Sequence, residues 1–432
     1  MTYRWVDSQS EFEALIDRLC VQPRYALDTE FHRERTYFPK LALMQFATDD
    51  ETTLVDPLAV DLTALPRLFE SNSVAVLHAA QQDLDVLTHA CGAVPAQMYD
   101  TQLASGFLGY STPSLVSLLM AELKVSAAKG DHLTDWLRRP LTPEQLLYAA
   151  ADVDHLLALQ GRLDKQLAEL GRTEWVAEAC EELRRRPASG TDPSQAWLRI
   201  KDIRMLKPRA RGVARAICEW RERRAMSVDV PVRQILPDLA VLGIAQRQPK
   251  TAHDLVQARG VEERHSKGNL GKEILDAVAD GQRSDIDLPA PDVEELDRQL
   301  RPAVALVSAW IADLARKQRV DTALLATRVD LVALLRGDTD ARLLQGWRAE
   351  LVGDGVQRLV QGKAGLTFDG RGGLRLIDVA PAPSEIPPSS PELAQFRPEQ
   401  VEGMADVGRS GAVGVDRPPL PNGLVDDDPL GH

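Results

Sequence analysis

The chain has 432 residues, a length that suggests roughly two to four domains. With 44% hydrophobic and 27% charged residues it reads as soluble and globular, and its four widely spaced cysteines, Cys20, Cys91, Cys180 and Cys218, exclude a disulfide scaffold and a CxxC zinc or redox site. No apolar run approaches the roughly 18–20 residues of a membrane span. Met1 to Trp5 lacks the charged-then-apolar pattern of a secretory signal, so a cytoplasmic location without a membrane partner is expected.

The net charge of −13 is unevenly spread. Residues 1–182 carry 14 basic and 28 acidic side chains, whereas 183–288 carry 21 and 14. An acidic segment beside a basic one points to a nucleic-acid partner, although a solvated helical surface gives the same count.

In chain order, Ser8 with Glu11 forms a capping-box start to a helix through Phe12, Leu15, Ile16 and Leu19. A short apolar strand, Tyr25-Ala26-Leu27, ends on Asp28, and further strands are expected at Leu41–Ala47, Thr53–Val55 and Val74–Leu77. The last feeds a helix through Leu84, Leu87 and Cys91 that Gly92 stops. Helices follow at Ser114–Leu123 and Thr142–Leu170, the second opened by Thr142, Pro143 and Gln145. The loops between the early strands are too short for helical crossovers, so the sheet is mixed and the class is α/β. Helical periodicity dominates from Trp175, with a linker over 183–205 and two helical units at 206–288 and 292–376, separated by Asp287 to Pro291. Residues 381–432, rich in Pro, Ser, Gly and Asp, read as a disordered tail because they cannot bury enough apolar surface to offset ordering entropy.

Four carboxylates depart from the surface default. Asp28 and Glu30 alternate on a strand and so leave the same face, where they repel each other unless a cation sits between them. Asp83 lies one turn into the helix after Val74–Leu77, and Asp152 lies one turn beyond Tyr148 on a shared helix face. Three Asp and one Glu are hard oxygen donors suited to a pair of Mg2+ or Mn2+ ions. Such a pair can activate water and stabilise the departing oxygen of a phosphodiester, and a nearby phenol can orient the water.

These residues fall in motifs that resemble a known family. Asp28-Thr29-Glu30-Phe31 followed by Arg35-Thr36-Tyr37-Phe38-Pro39 is similar to the first exonuclease motif of ribonuclease D. His78-Ala79-Ala80-Gln81-Gln82-Asp83-Leu84 resembles the second. Asp135 to Leu141, then Tyr148-Ala149-Ala150-Ala151-Asp152-Val153, resembles the third in its tyrosine variant, the DEDDy subclass. Leu206-Lys207-Pro208-Arg209 through Trp220-Arg221-Glu222, with Ile235-Leu236-Pro237-Asp238, is similar to the helicase-and-RNase-D C-terminal (HRDC) domain, and 292–376 resembles a diverged second copy without that signature.

The resemblance implies an RNase H-like mixed-sheet exonuclease domain over 1–182, all-α HRDC-like bundles, and two-metal 3′→5′ hydrolysis that releases nucleoside 5′-monophosphates. Asp28 is then expected to bridge both ions, Glu30 and Asp152 to complete the tighter site, Asp83 to hold the second ion, and Tyr148 to orient the nucleophilic water. The implied partner is RNA with a free 3′ end, with tRNA precursors the family-based guess. Rival readings are a DNA 3′→5′ exonuclease and a non-catalytic RNA-binding adaptor. No GxxxxGK[ST] loop occurs, so neither a helicase core nor a nucleotide cofactor is expected. For substrate contact, Phe31 is a candidate for stacking on the terminal base. Lys129, Arg138 and Arg139 are candidates for backbone phosphates, as are Arg209, Arg211, Arg215, Arg221, Arg223 and Arg224 in the first helical unit. His78, Trp220 and Trp310 read as core residues.

Overall fold

The computed structural model describes residues 2–126, 134–187, 192–283, 285–286 and 300–379. Lys129, the Asp287 to Pro291 separator and the expected tail at 381–432 lie outside the described residues.

A six-stranded sheet organises the first part of the chain, with strands β1 (Arg4–Val6), β2 (Arg24–His32), β3 (Lys40–Ala47), β4 (Thr52–Val55), β5 (Val74–Leu77) and β6 (Met98–Asp100) in the spatial order β1-β4-β3-β2-β5-β6. The β2–β3 and β3–β4 pairs are antiparallel and the others parallel, as the short early loops require. The run Leu41–Ala47 is buried throughout, as expected for a strand covered on both faces. On one face lie α1 (Gln9–Cys20), α2 (Leu65–Phe69) and α3 (Gln81–Cys91), packed through Phe12, Ile16, Phe69 and Leu87. A short α4 (Thr101–Gly106) and α5 (Leu115–Glu122) lead to α6 (Pro143–Asp154), α7 (Leu156–Glu169) and α8 (Thr173–Arg184). Helix α6 covers the other face, where Ala149 and Ala150 meet Leu43 and Leu54.

Several local expectations change. Ser8 is the N-cap of α1, yet its hydroxyl donates to the Glu11 carboxylate at 2.9 Å instead of accepting a backbone N–H. The strand at Tyr25 does not end at Asp28 but continues through it to His32, so Asp28 and Glu30 sit inside a paired ladder. Strands β1 and β6 went unread, because three residues carry no period-two signal and are made strands by their neighbours. The helix expected over Thr142–Leu170 breaks at His155, whose backbone (φ −110°, ψ 1°) is not helical. The break lets α6 serve the sheet while Leu159, Leu163 and Leu167 of α7 turn to a second core beneath α4 and α5.

The helical part begins earlier than expected. Within the segment read as a linker, Pro193–Arg199 and Ile203–Met205 form 3-10 helices, and Trp197, Ile200 and Ile203 are buried in the core of the first unit. That core is built on α9 (Pro208–Val228), α10 (Val232–Ile235), α11 (Asp238–Arg247), α12 (Ala252–Val256) and α13 (Gly268–Gly281). Helices α9 and α13 cross at contact distance, since a Cβ on Gly281 would lie 2.4 Å from the Val213 Cα.

The second unit repeats this path. Helix α14 (Arg301–Gln318) ends on Arg319 in the left-handed region, as α9 ends on Asp229, and α15 (Thr322–Leu325) and the start of α16 (Arg328–Leu335) follow at the spacing of α10 and α11. Gly346 at φ +52° opens its last helix as Gly268 at φ +58° opens α13. That helix comprises α17 (Gly346–Arg348), a π turn at Ala349–Gly353 and α18 (Asp354–Val360). The unit is not purely helical, however: β7 (Ala364–Phe368) and β8 (Leu374–Asp378) close it as an antiparallel hairpin.

The two units are joined to the sheet domain differently. The second shares a core with it: Trp347 stacks on Trp175 (centroids 5.5 Å apart) and meets Phe107 edge-on, while the buried Arg172 donates to the Phe107 and Gln318 carbonyls at 2.6 Å each. The first keeps its own core and holds the β2–β3 loop by polar contacts. The Tyr37 hydroxyl donates to Glu222 Oε1 at 2.7 Å, and Asp229 Oδ1 accepts from the Tyr37 and Phe38 amides at 3.0 and 3.1 Å. On its other side the loop rests on α3, where Phe38 packs against His89 and Arg33 pairs with Asp85.

Asp229 adopts φ 48°, ψ 52°, which Asp tolerates better than most residues. Asp229→Gly keeps that backbone and removes only the carboxylate, so denaturant unfolding is expected to show a loss of about 1.5–3 kcal/mol for hydrogen bonds to a charged acceptor. Asp229→Ala is expected to lose about 1 kcal/mol more from left-handed strain.

Candidate metal centre and active site

The site is built where β2, α3 and α6 converge. Asp28 and Glu30 leave one face of β2, opposite Gln45 and Leu43 of β3, and the register shifts just after Glu30. Such a bulge sharpens the local twist and re-aims the side chains that follow. Asp152 arrives from α6, and one carboxylate oxygen from each of Asp28, Glu30 and Asp152 lies within 4.8 Å of the others.

Asp83 joins from the side. Its Oδ1 accepts from the Thr29 amide at 3.1 Å and the Thr29 hydroxyl at 2.5 Å, so the residue between the two strand carboxylates holds the fourth. The entry to α3 is set by a residue that sequence reasoning missed. Buried Asp100, at the end of β6, accepts from the amides of Ala79 and Ala80 at 3.1 and 2.8 Å while capping α4 through Gln102 and Leu103. Ala79 has φ 58°, a strained value for alanine that these bonds compensate. The only sequence signal was an Asp ahead of an apolar helix, which reads as an ordinary cap.

On α6, Thr142 and Gln145 form the expected capping box, with Pro143 at the first helical position. It fixes the start of the helix that carries Tyr148 and Asp152 one turn apart, where the phenol counteracts the upward shift of the Asp152 carboxyl. Trp136 lies against the Tyr148 ring at 6.1 Å. Arg139 does not face solvent as a phosphate ligand. Its guanidinium clamps both oxygens of Asp56 at 2.7 and 2.6 Å and the Ala42 and Trp136 carbonyls, fixing the segment before α6 to β3 and β4. Arg138 is exposed. Phe31 is half-buried with the Arg33 guanidinium 5.7 Å above its ring. His78 is satisfied by Thr101 and Pro113, in keeping with a core role.

The basic residues of α9 do not form one free face. Arg221 is buried against Asp238 and the Leu236 carbonyl, Arg223 pairs with Glu219, and Arg224 and the Trp220 indole meet Glu273. An i,i+3/i,i+4 count of arginines could not reveal acceptors that come from other helices.

The four carboxylates strain one another. Burial is the main reason that Asp28 is held well above the usual carboxylate range, with Asp83, Asp152 and Glu30 adding repulsion in that order. Glu30 is pushed up to about 8 by burial and then by Asp152 and Asp83. Burial also raises Asp83 and Asp152 to about 7 each, against hydrogen bonds from Thr29 and Tyr148. Among the described residues no Lys or Arg forms an ion pair with any of the four, although Asp56 and Asp85 nearby each have an arginine. A cluster of hard oxygen donors, buried and without an organic cation, fits divalent metal ions.

Comparison with known proteins agrees with this geometry. Residues 3–168 match the model of the 3′-5′ exonuclease family and residues 210–278 that of the HRDC domain. The chain is 35% identical over 373 residues to ribonuclease D of Acidiphilium cryptum, covering 85% of this chain and 95% of that one. It is 36% identical to ribonuclease D of Gluconacetobacter diazotrophicus, covering 84% and 94%. The fold is similar to the crystal structure of Escherichia coli RNase D, an exoribonuclease involved in structured RNA processing, at a TM-score of 0.74 and 28% identity over 84% of this chain and 99% of that one. With catalytic-domain motifs, helical units and near full-length relatives in agreement, the chain belongs to the ribonuclease D family.

Proposed function

We propose that this protein is a metal-dependent 3′→5′ exoribonuclease that removes nucleoside 5′-monophosphates from the 3′ ends of structured RNA such as tRNA precursors. The observation that carries the reading is the convergence of Asp28, Glu30 and Asp152, with Asp83 tied to the same strand through Thr29. Asp28, Glu30 and Asp152 would hold one divalent ion and Asp28 with Asp83 a second, Mg2+ or Mn2+. When bound, such ions supply the positive charge that activates water and stabilises the departing oxygen.

The chain's own groups do the rest. Tyr148, one helical turn before Asp152 and backed by Trp136, orients the attacking water, whose oxygen forms the new bond to phosphorus as the bond to the ribose 3′ oxygen breaks. Phe31, covered by Arg33, offers an aromatic face to the terminal base. Arg138, which is exposed, would meet a backbone phosphate. Residues 206–288 recruit RNA through the basic side chains of that unit, and 292–376 acts as a second, diverged HRDC-like unit. No described helix is long and apolar enough to cross a membrane, and we assign the protein to the cytoplasm.

The first test is a 5′-labelled RNA with a free 3′ end, incubated with Mg2+, Mn2+ or chelator. A ladder that shortens from the 3′ end only with metal is expected. Shortening of matched DNA alone would replace the RNA reading, and RNA binding without shortening would leave an adaptor. Asp28→Asn is expected to abolish hydrolysis and keep RNA binding, while Tyr148→Phe is expected to lower kcat roughly a hundredfold with little change in KM.

Metal affinity is expected to depend on pH. A carboxyl whose folded value is raised keeps its proton above the ordinary range, so a metal must displace it, and binding strengthens as pH rises through about 7 to 8. Calorimetry with Mn2+ should show at least a tenfold gain in affinity from pH 6 to pH 8, with proton release revealed by buffers of different ionisation heat. Constant affinity without proton release would contradict the assignment.

Arg209 and Arg215 have no acceptor at hydrogen-bond distance among the described residues. Replacing each by alanine is expected to reduce the slope of log affinity against log salt by about one for every phosphate left unneutralised. An unchanged slope would remove them from the RNA path.

A further inference from the structure

Gln45 lies in the middle of β3 with no solvent exposure, yet neither its Nε2 nor its Oε1 has a hydrogen-bond partner. Its position makes this more than a packing defect. Gln45 is the directly opposed partner of Asp28 in the antiparallel β2–β3 ladder, so the two side chains leave the same face of the sheet. On that face its strand neighbours are Leu43 and Ala47 and its opposed residue on β4 is Leu54, all buried in the clusters that include Ala149 and Val153 of α6. Asp28 is the one polar side chain in cross-strand register with the amide, and it belongs to the carboxylate cluster on which the proposed activity rests.

A buried primary amide without a hydrogen-bond partner is costly, and a leucine or methionine of similar volume would carry no such cost. Unpaired buried polar groups of this kind persist where another state of the site supplies a partner. We propose that Gln45 is a positioning residue of the metal centre: its Nε2–H donates to the Asp28 carboxylate when that group is engaged with a divalent cation. The bond would hold one carboxylate oxygen back against the sheet and leave the other directed at the cluster. A hydrogen-bonded ligand carboxylate is oriented before the ion arrives, which strengthens binding without adding a further ligand. The role is positioning, since the amide acts through Asp28 and does not touch substrate.

This inference rests on Asp28 being a metal ligand, and the test separates the two claims. The full chain is prepared as wild type, Gln45→Leu, Gln45→Met and Asp28→Asn. Each is melted in chelator and titrated calorimetrically with Mn2+ alone, and steady-state rates on labelled RNA are measured for the first three. In chelator Gln45→Leu is expected to melt about 2–4 °C above wild type, because an unsatisfied amide has gone. Its Mn2+ affinity is expected to fall roughly 10- to 100-fold, in line with loss of an outer-shell partner. A lower kcat at unchanged KM for RNA is expected to accompany this. Gln45→Met, more adaptable in shape, should give the same pattern and keeps the test in force where the branched leucine fails to fold. Wild-type Mn2+ affinity in both variants would overturn the positioning role, and a lowered melting point in chelator with unchanged affinity would reduce Gln45 to ordinary packing. If wild type and Asp28→Asn bind Mn2+ equally poorly, it is the metal-centre reading that fails.

Discussion

Like charges brought together in a dry place govern this structure. Four carboxylates from one strand and two helices meet where burial alone already disfavours their charged forms, and each makes ionisation of the next harder. Left to themselves, such groups would push their parent elements apart. They stay together because contacts outside the cluster hold each element: the β2–β3 ladder for Asp28 and Glu30, Thr29 and the Asp100 turn for Asp83, and the capping box with the Arg139–Asp56 clamp for Asp152. The fold spends ordinary hydrogen bonds to keep an electrostatically unfavourable arrangement ready for a cation.

The parts of this scheme that lay in the sequence are those with a local signature. Asp28 and Glu30 alternate, Tyr148 and Asp152 are one turn apart, and Thr142 to Gln145 spells a cap; each rests on a period that the backbone imposes. Asp83 was legible through the motif around it, since a lone Asp in a helix says nothing. What stayed hidden is non-local. Arg139 was read as a phosphate ligand because its partner Asp56 is 83 residues away. Arg221 reads as part of a basic set because Asp238 and the Leu236 carbonyl come from segments beyond its own helix. Strands β1 and β6 exist only through their pairing. Gln45 carries no signal of its own in the sequence, and only the register places it across from Asp28.

The helical units show how a repeated backbone path can serve two architectural ends. After the long first helix of each, the left-handed cap, the four-residue turn and the next helix follow at one spacing, although the residues differ. Yet the first unit keeps its apolar surface inward, while the second gives Trp347, Val304 and Leu331 to a core shared with α4, α7 and α8. Chain order and spatial intimacy therefore run in opposite senses: the unit farther along the sequence is the one fused to the catalytic domain.

The loop between β2 and β3 has a consequence in time as well as in space. Tyr37 and Phe38 find their acceptor in Asp229, 192 and 191 residues later in the chain. A ribosome adding about 5–20 residues per second would synthesise that intervening stretch in about 10–40 s. Throughout that interval the loop beside the two strand carboxylates lacks the Asp229 acceptor, while its contacts with Asp85 and His89 of α3 are already within the synthesised chain. The growing polypeptide thus completes its sheet well before it completes the surroundings of its carboxylate site, and the later support is delivered by the segment that matches the HRDC domain.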